Sequence, residues 1–135
     1  MTEKNMSKTA FIEKTETNRA PAAVGPYSQA ISANDIVYTS GQLPIDPVTG
    51  RIESNDIAGQ TSQAIKNLSA VLSAAGSSLD KVLKTTCYLK DIKDFAVFNE
   101  IYAGFFVCSP ARSCVEVSAL PKGALVEIEA IGLKD

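Results

Sequence analysis

The stretch DIAGQTSQAIKNLSAVLSAAG, residues 56–76, decides the fold. Ile57, Thr61, Ala64, Ile65, Leu68, Val71, Leu72 and Ala75 recur at steps of three and four residues. That spacing puts them on one stripe of an α-helix. Asn55 or Asp56 can cap its start, and Gly76 is placed to close its end. The spacing therefore predicts a helix over 56–75 with one buried face. Leu83–Leu89, with Thr85, Thr86, Cys87 and Tyr88, reads as a strand. Asp94–Phe106 reads as a second helix whose apolar side is Phe95, Phe98, Ile101, Tyr102 and Phe105. Pro110 prevents its extension.

Outward from this centre the chain is β-prone. Ser28–Ala33 and Ile36–Ser40 flank Asn34-Asp35, a hairpin signal, and Thr9–Lys14 is a short strand candidate. Between them lies Ala20–Tyr27, where Pro21 and Pro26 each remove a donor and fix φ, so the segment is an irregular apolar loop. Arg112–Ser118 and Val126–Leu133 are two final strands joined through Pro121-Lys122-Gly123. The order β, β, β, α, β, α, β, β gives an α+β fold, one mixed sheet with both helices on one face. Alternation puts Arg112, Cys114 and Glu116 on one side of their strand and Ser113, Val115 and Val117 on the other. Glu127 and Glu129 oppose Val126, Ile128 and Ala130. The apolar sides are expected to meet the helices. That sends Arg112, Cys114 and Glu127 to the other sheet face, which would pack on another subunit and line a cleft there.

Composition narrows the chemistry. The 135 residues are expected to form one domain over 9–135, behind a flexible lead over 1–8. Net charge is −2 and the pI is near 5.2, so the basic surplus of a nucleic-acid binder is missing. There is no histidine, which excludes Ser-His-Asp and Cys-His mechanisms and most zinc sites. Three cysteines, Cys87, Cys108 and Cys114, show no CxxC spacing and fit reduced thiols in a cytoplasmic protein. No apolar run reaches the roughly 20 residues that span a bilayer, and residues 1–8 lack the pattern of a signal or transit peptide.

Three dispersed motifs then carry a resemblance: Ala22-Ala23-Val24-Gly25-Pro26-Tyr27-Ser28-Gln29-Ala30, Thr39-Ser40-Gly41-Gln42-Leu43-Pro44, and Pro110-Ala111-Arg112-Ser113-Cys114-Val115-Glu116-Val117. Leu120-Pro121-Lys122-Gly123 with Val126–Ala130 completes them. From about Thr9 to Lys134 the chain resembles the RidA/YjgF family of reactive-intermediate deaminases, also known as L-PSP endoribonucleases. The resemblance implies a chorismate-mutase-like fold and a homotrimer whose sheets face the three-fold axis, with active sites in the clefts between subunits. It implies a hydrolase acting on C–N bonds, an imine/enamine deaminase. Such an enzyme converts 2-iminobutanoate, 2-iminopropanoate and their enamines, released by PLP-dependent dehydratases, to 2-keto acids and ammonia. It implies no metal and no redox cofactor. In one departure, only Val107, Cys108 and Ser109 separate Phe106 from Pro110, a loop shorter than the family commonly has at the cleft border.

That reaction assigns roles. Arg112 suits the substrate carboxylate, because a planar guanidinium binds it through two parallel charge-assisted hydrogen bonds. A carboxylate is needed to orient water and take its proton. Glu127 and Glu129 share a face, and the resemblance selects Glu127. Cys114 is a poor nucleophile without a histidine to activate it. The resemblance makes it a pocket-lining residue whose backbone helps bind ligand. Tyr27 can close the cleft with its ring and bind through its hydroxyl. Ser40 and Gly41 let ligand approach a backbone N–H. The resemblance places Asn99 near the site. Two other classes stay open on these residues: an endoribonuclease on single-stranded RNA that inhibits translation, and a non-catalytic binder of small carboxylates.

Overall fold

The computed structural model describes residues 11–135; the expected lead over 1–8 lies outside the described residues. Six strands, β1 (Ile12–Thr15), β2 (Ala30–Ala33), β3 (Ile36–Thr39), β4 (Val82–Leu89), β5 (Ala111–Glu116) and β6 (Val126–Leu133), join two helices, α1 (Ile57–Ala74) and α2 (Phe95–Phe105). The strands form one sheet in the order β1-β2-β3-β6-β4-β5. All pairs are antiparallel except β4 and β5, which run parallel across the α2 connection. This is the expected α+β fold.

The helices form where periodicity and caps agree. All eight residues of the 56–75 stripe are buried. The Asp56 carboxylate caps α1 by accepting from Gly59 N–H at 2.8 Å. At its other end Gly76, at φ 88°, takes the left-handed conformation, and Ser77 N–H donates back to the Leu72 carbonyl at 2.8 Å. α1 packs on α2, β3 and β6. In α2, Phe98 and Tyr102 are buried, while Phe95, Ile101 and Phe105 are half-buried. Among the described residues no helix is long and apolar enough to cross a membrane.

One expectation is overturned. Arg112 and Cys114 lie on the helix-covered face of β5, and Val115 is exposed on the other. The parallel register explains this. Arg112 stands opposite Thr85 and Cys114 opposite Cys87, and Thr85 and Cys87 are buried beneath the helices. On this edge strand the guanidinium does not need to enter the core. It lies over the α2 aromatic rings, 4.8 Å from the Tyr102 centroid and 5.4 Å from that of Phe95, an attractive cation–π geometry. Glu127 instead faces away from the helices, with Glu129, Tyr88 and Thr86 around it by register. The same uncovered face carries Ile12, Ile31, Ile36, Tyr38, Ile131 and Leu133.

Two buried carboxamides on α1 tie loops to this frame. Asn67 Nδ2 donates to the Leu43 and Ile45 carbonyls, both at 2.8 Å. Gln60 accepts from Leu125 N–H at 2.8 Å and donates to the Ser54 carbonyl at 2.9 Å. Asn67→Ala leaves two carbonyls without their donor. Denaturant unfolding at fixed protein concentration should show a loss of about 1–3 kcal/mol, with faster amide exchange around residues 43–46. A loss below about 0.5 kcal/mol would mean the loop is held by other contacts.

Candidate active site

The candidate residues fall into two groups on opposite faces of the sheet. The first surrounds a cavity of about 700 Å³ lined by Tyr27, Ser40, Gly41, Gln42, Pro121 and Glu127 among others. Its floor is set by backbone pairing. Beyond the end of β3, Gln42 N–H donates to the Ile128 carbonyl at 2.8 Å, and Ile128 N–H returns the bond at 3.1 Å. This bridge lays Gly41 against the Glu127 side chain. A Cβ at position 41 would lie 2.8 Å from Glu127 Cδ and overlap Oε2. A side chain at position 41 would therefore displace the Glu127 carboxylate, the movable end of its side chain, and the glycine, with ordinary φ, permits this close approach.

Neighbouring loops are equally constrained. Ser40 Oγ donates to the Ser28 carbonyl at 2.6 Å, and Ser40 N–H to the Gln29 carbonyl at 2.8 Å. The buried Gln29 side chain accepts from Thr17 N–H and donates to the Pro21 carbonyl, each at 2.7 Å. It thereby fixes the start of the Pro-rich segment. Tyr27 N–H closes a tight turn onto the Gly25 carbonyl at 2.8 Å, leaving the Tyr27 ring exposed beside the cavity. Lys122, also lining the cavity, has a left-handed backbone at φ 59° in the turn before β6.

Burial pushes the Glu127 carboxyl above its usual range, and the Glu129 charge two residues away on the same face adds to the rise. Tyr88, opposite Glu127 on β4, is raised by burial and by both glutamates. A carboxylate with a raised pKa is a better proton acceptor than one in water.

The second group lies at the β5 edge. Arg112 Nη1 donates to Asn99 Oδ1 at 2.7 Å, so Asn99, half-buried, orients the fork from α2. Among the described residues this is the one side-chain hydrogen bond of a group with five N–H donors. Cys114, two residues along, packs against the core. Burial raises its thiol pKa while Arg112 pulls it down. Burial pushes the Cys87 thiol up to about 12, so both stay protonated near neutral pH.

Tyr27, Ser40, Gly41 and Glu127 are thus brought together, and so are Arg112, Asn99 and Cys114, but the two groups do not meet within this chain. The reading from sequence missed Gln42, Leu43, Pro121 and Lys122 as cavity residues. Their motifs, Ser40–Pro44 and Leu120–Gly123, were visible without a role attached. Among the described residues no cluster of three His, Cys, Asp or Glu side chains is placed to hold a metal ion.

Comparison with known proteins agrees with this architecture. The family model described as Endoribonuclease L-PSP matches residues 17–134. The RutC family protein y4sK of Sinorhizobium fredii is 56% identical over 122 residues, 90% of this chain and 97% of that protein. The 2-iminobutanoate/2-iminopropanoate deaminase of Salmonella typhimurium is 44% identical over 133 residues, 96% and 99% of the two chains. The crystal structure of YyfA from Yersinia pestis, a protein of the conserved Rid family, superposes with a TM-score of 0.88 at 54% identity, covering 91% of this chain and 99% of that one. These matches cover nearly the whole described chain in sequence and in fold, and the chain belongs to the RidA/YjgF family.

Proposed function

We propose that this protein hydrolyses 2-imino acids and their enamine tautomers to 2-keto acids and ammonia, in a cytoplasmic setting. We further propose that it works as a homotrimer whose active sites lie between protomers. The observation that carries this reading is the Glu127 carboxylate seated on Gly41 in a cavity and raised in pKa, with no salt bridge to it among the described residues. Water bound there attacks the C=N carbon as Glu127 accepts its proton. Glu127 returns that proton to the nitrogen to give the carbinolamine, then takes the hydroxyl proton as C=O forms and passes it to the nitrogen, so the C–N bond breaks and ammonia and the keto acid leave. Atoms and charges balance with water as the only co-reactant. The relative named as a 2-iminobutanoate/2-iminopropanoate deaminase supports this choice of substrate.

The carboxylate anchor is assigned to Arg112 of a neighbouring protomer. Two features support this. The guanidinium fork has donors to spare at the sheet edge. The uncovered sheet face is apolar and exposed at Ile12, Tyr38, Val115 and Leu133, the kind of patch that marks a protein–protein contact.

Three outcomes are expected. Gly41→Ala should fold but displace the carboxylate, lowering kcat for 2-iminobutanoate by about 10²–10⁴-fold, the usual worth of a placed proton-transfer group. A wild-type kcat would remove Glu127 from the mechanism. Arg112→Ala should mainly raise KM and Glu127→Gln mainly lower kcat. When these two variants are unfolded and refolded together, random trimers should regain about a quarter of wild-type activity, because one site in four then pairs intact partners. No recovery in mixed trimers would place the two groups in separate functions.

Activity should fall on the acid side as Glu127 gains its proton, with an inflection above the ordinary carboxylate range. Glu129→Gln removes a neighbouring negative charge, lowers the Glu127 pKa and so should move that inflection to lower pH. An unmoved inflection in the pH–rate profile would assign it to another group.

A further inference from the structure

Glu127 has a neighbour on each side across the sheet, because β6 lies between β3 and β4. On the β3 side, Gln42 pairs with Ile128 beyond the strand end, and Gly41 leaves a gap next to that pair. The Glu127 side chain fills the gap along its length. A Cβ at residue 41 would lie 3.0 Å from Glu127 Cγ and 2.8 Å from Cδ. On the β4 side, the residue directly opposite Glu127 is Tyr88. Opposed side chains on one face of an antiparallel pair have Cβ atoms about 4.5–5.5 Å apart.

A side chain standing on a sheet can lean toward either neighbouring strand, and here the two directions differ. Tyr88 is half-buried and is itself opposed by Val115 of β5 on its far side. Its ring therefore stands in one row with Glu127 and Val115 and occupies the β4 direction. Among the described residues its hydroxyl hydrogen-bonds to neither Glu127 nor Glu129, so the phenol contributes bulk. Charge does not account for the seat. Glu129, on the same strand and face, repels Glu127. Tyr27, Asp46 and Lys122 line the cavity, and Lys122 makes no salt bridge to Glu127 among the described residues. What remains is shape: a gap on one side and an aromatic ring on the other.

We propose that Tyr88 is a positioning residue for Glu127: its ring closes the β4 side and holds the carboxylate in the gap at Gly41. The kinetic consequence rests on the imine-hydrolase reading above; the seating does not need a substrate. A shift of about 1 Å in a reacting group can lower a rate by roughly 10²-fold. The ring also keeps water from one flank of the carboxylate.

Tyr88→Val and, independently, Tyr88→Thr remove the ring but keep strand-forming residues. Circular dichroism and solution mass verify the fold and assembly of each. Both should lower kcat for 2-iminobutanoate by about 10–10²-fold, with KM changed less than about threefold. Tyr88→Phe keeps the ring and should restore kcat to within about threefold of wild type. In a Gly41→Ala background the gap is already filled, so Tyr88→Val should lower kcat by less than about threefold more. Carbon-detected NMR titration of the Glu127 carboxyl supplies a readout without substrate. Loss of the ring admits water, stabilises the anion and should move the Glu127 pKa down, whereas Tyr88→Phe should leave it in place. Wild-type kcat and titration in the ring-less variants overturn the role of Tyr88. So does a Tyr88→Phe variant as impaired as Tyr88→Val, or losses at positions 41 and 88 that multiply in full. A wild-type protein that hydrolyses no imine overturns the imine-hydrolase reading instead, and the titration then decides for or against Tyr88 by itself.

Discussion

The arrangement depends on a constraint at one backbone position: the Glu127 carboxylate occupies the space that a side chain at residue 41 would fill. The contact holds only while the strand carrying Gly41 stays in register with β6. The reciprocal bonds between Gln42 and Ile128 keep it there. Ser40 is fixed to the β2 end and Leu43 to α1, so the strip is held on both sides of the glycine. The anchors of the surrounding loops, Gln29, Gln60 and Asn67, are buried carboxamides. A charged anchor in such positions would need its own buried counterion. An amide is satisfied by backbone groups and adds no net charge near Glu127.

The fold was legible where one face of an element does a single job. The α1 stripe is an example, because all of its apolar positions meet the same core. Gln60 and Asn67 flank that stripe and read locally as solvent-facing. Their partners across the fold, Leu43, Ile45 and Leu125, lie 22 to 65 residues away in sequence, which no local pattern reveals. The orientation of β5 was misread for a related reason. Alternation separates Arg112 from Val115 but does not say which side the helices cover. The rule that apolar residues go inward failed on an edge strand whose arginine spreads its guanidinium over aromatic rings. Tyr27, Ser40, Gly41 and Glu127 could be singled out by motif and chemistry. Their meeting in space comes from β3 lying beside β6, a pairing that spans two helices and two strands.

Among the described residues, nothing covers the face that bears Glu127. A sheet packed on one side only usually alternates apolar and polar residues, with the polar side in water. Here Ile31, Ile36, Tyr38, Ile131 and Leu133 occupy the side away from the helices. Both faces are therefore apolar in part, and Glu127 and Glu129 lie on this face toward the start of β6, opposite Tyr88 and Thr86. A second protein surface over this face would bury that apolar area, and it would further desolvate Glu127. Assembly and pKa tuning would then draw on the same surface, which supports reading the oligomer as part of the chemistry.

Keeping Arg112 and Glu127 on opposite faces of one protomer has an electrostatic consequence. A guanidinium in direct contact with Glu127 would stabilise the carboxylate and lower its pKa, weakening it as a proton acceptor. The same contact would occupy the fork that, in the proposed reaction, grips the substrate carboxylate. Arg112 is instead held by a neutral amide and by π faces, which orient it without neutralising its charge. Glu127 is held against a glycine Cα and beside another carboxylate, and it makes no salt bridge among the described residues, which suits the proposed role of base. Each pKa unit of elevation corresponds to about 1.4 kcal/mol of destabilised anion. The rest of the fold has to offset that cost, and it does so through the core beneath β6 and the amide-pinned loops. In the proposed assembly substrate completes the circuit. Its carboxylate satisfies the arginine of one protomer while its imine carbon meets the water held by the glutamate of the next. The two charges then act on one molecule without first cancelling each other.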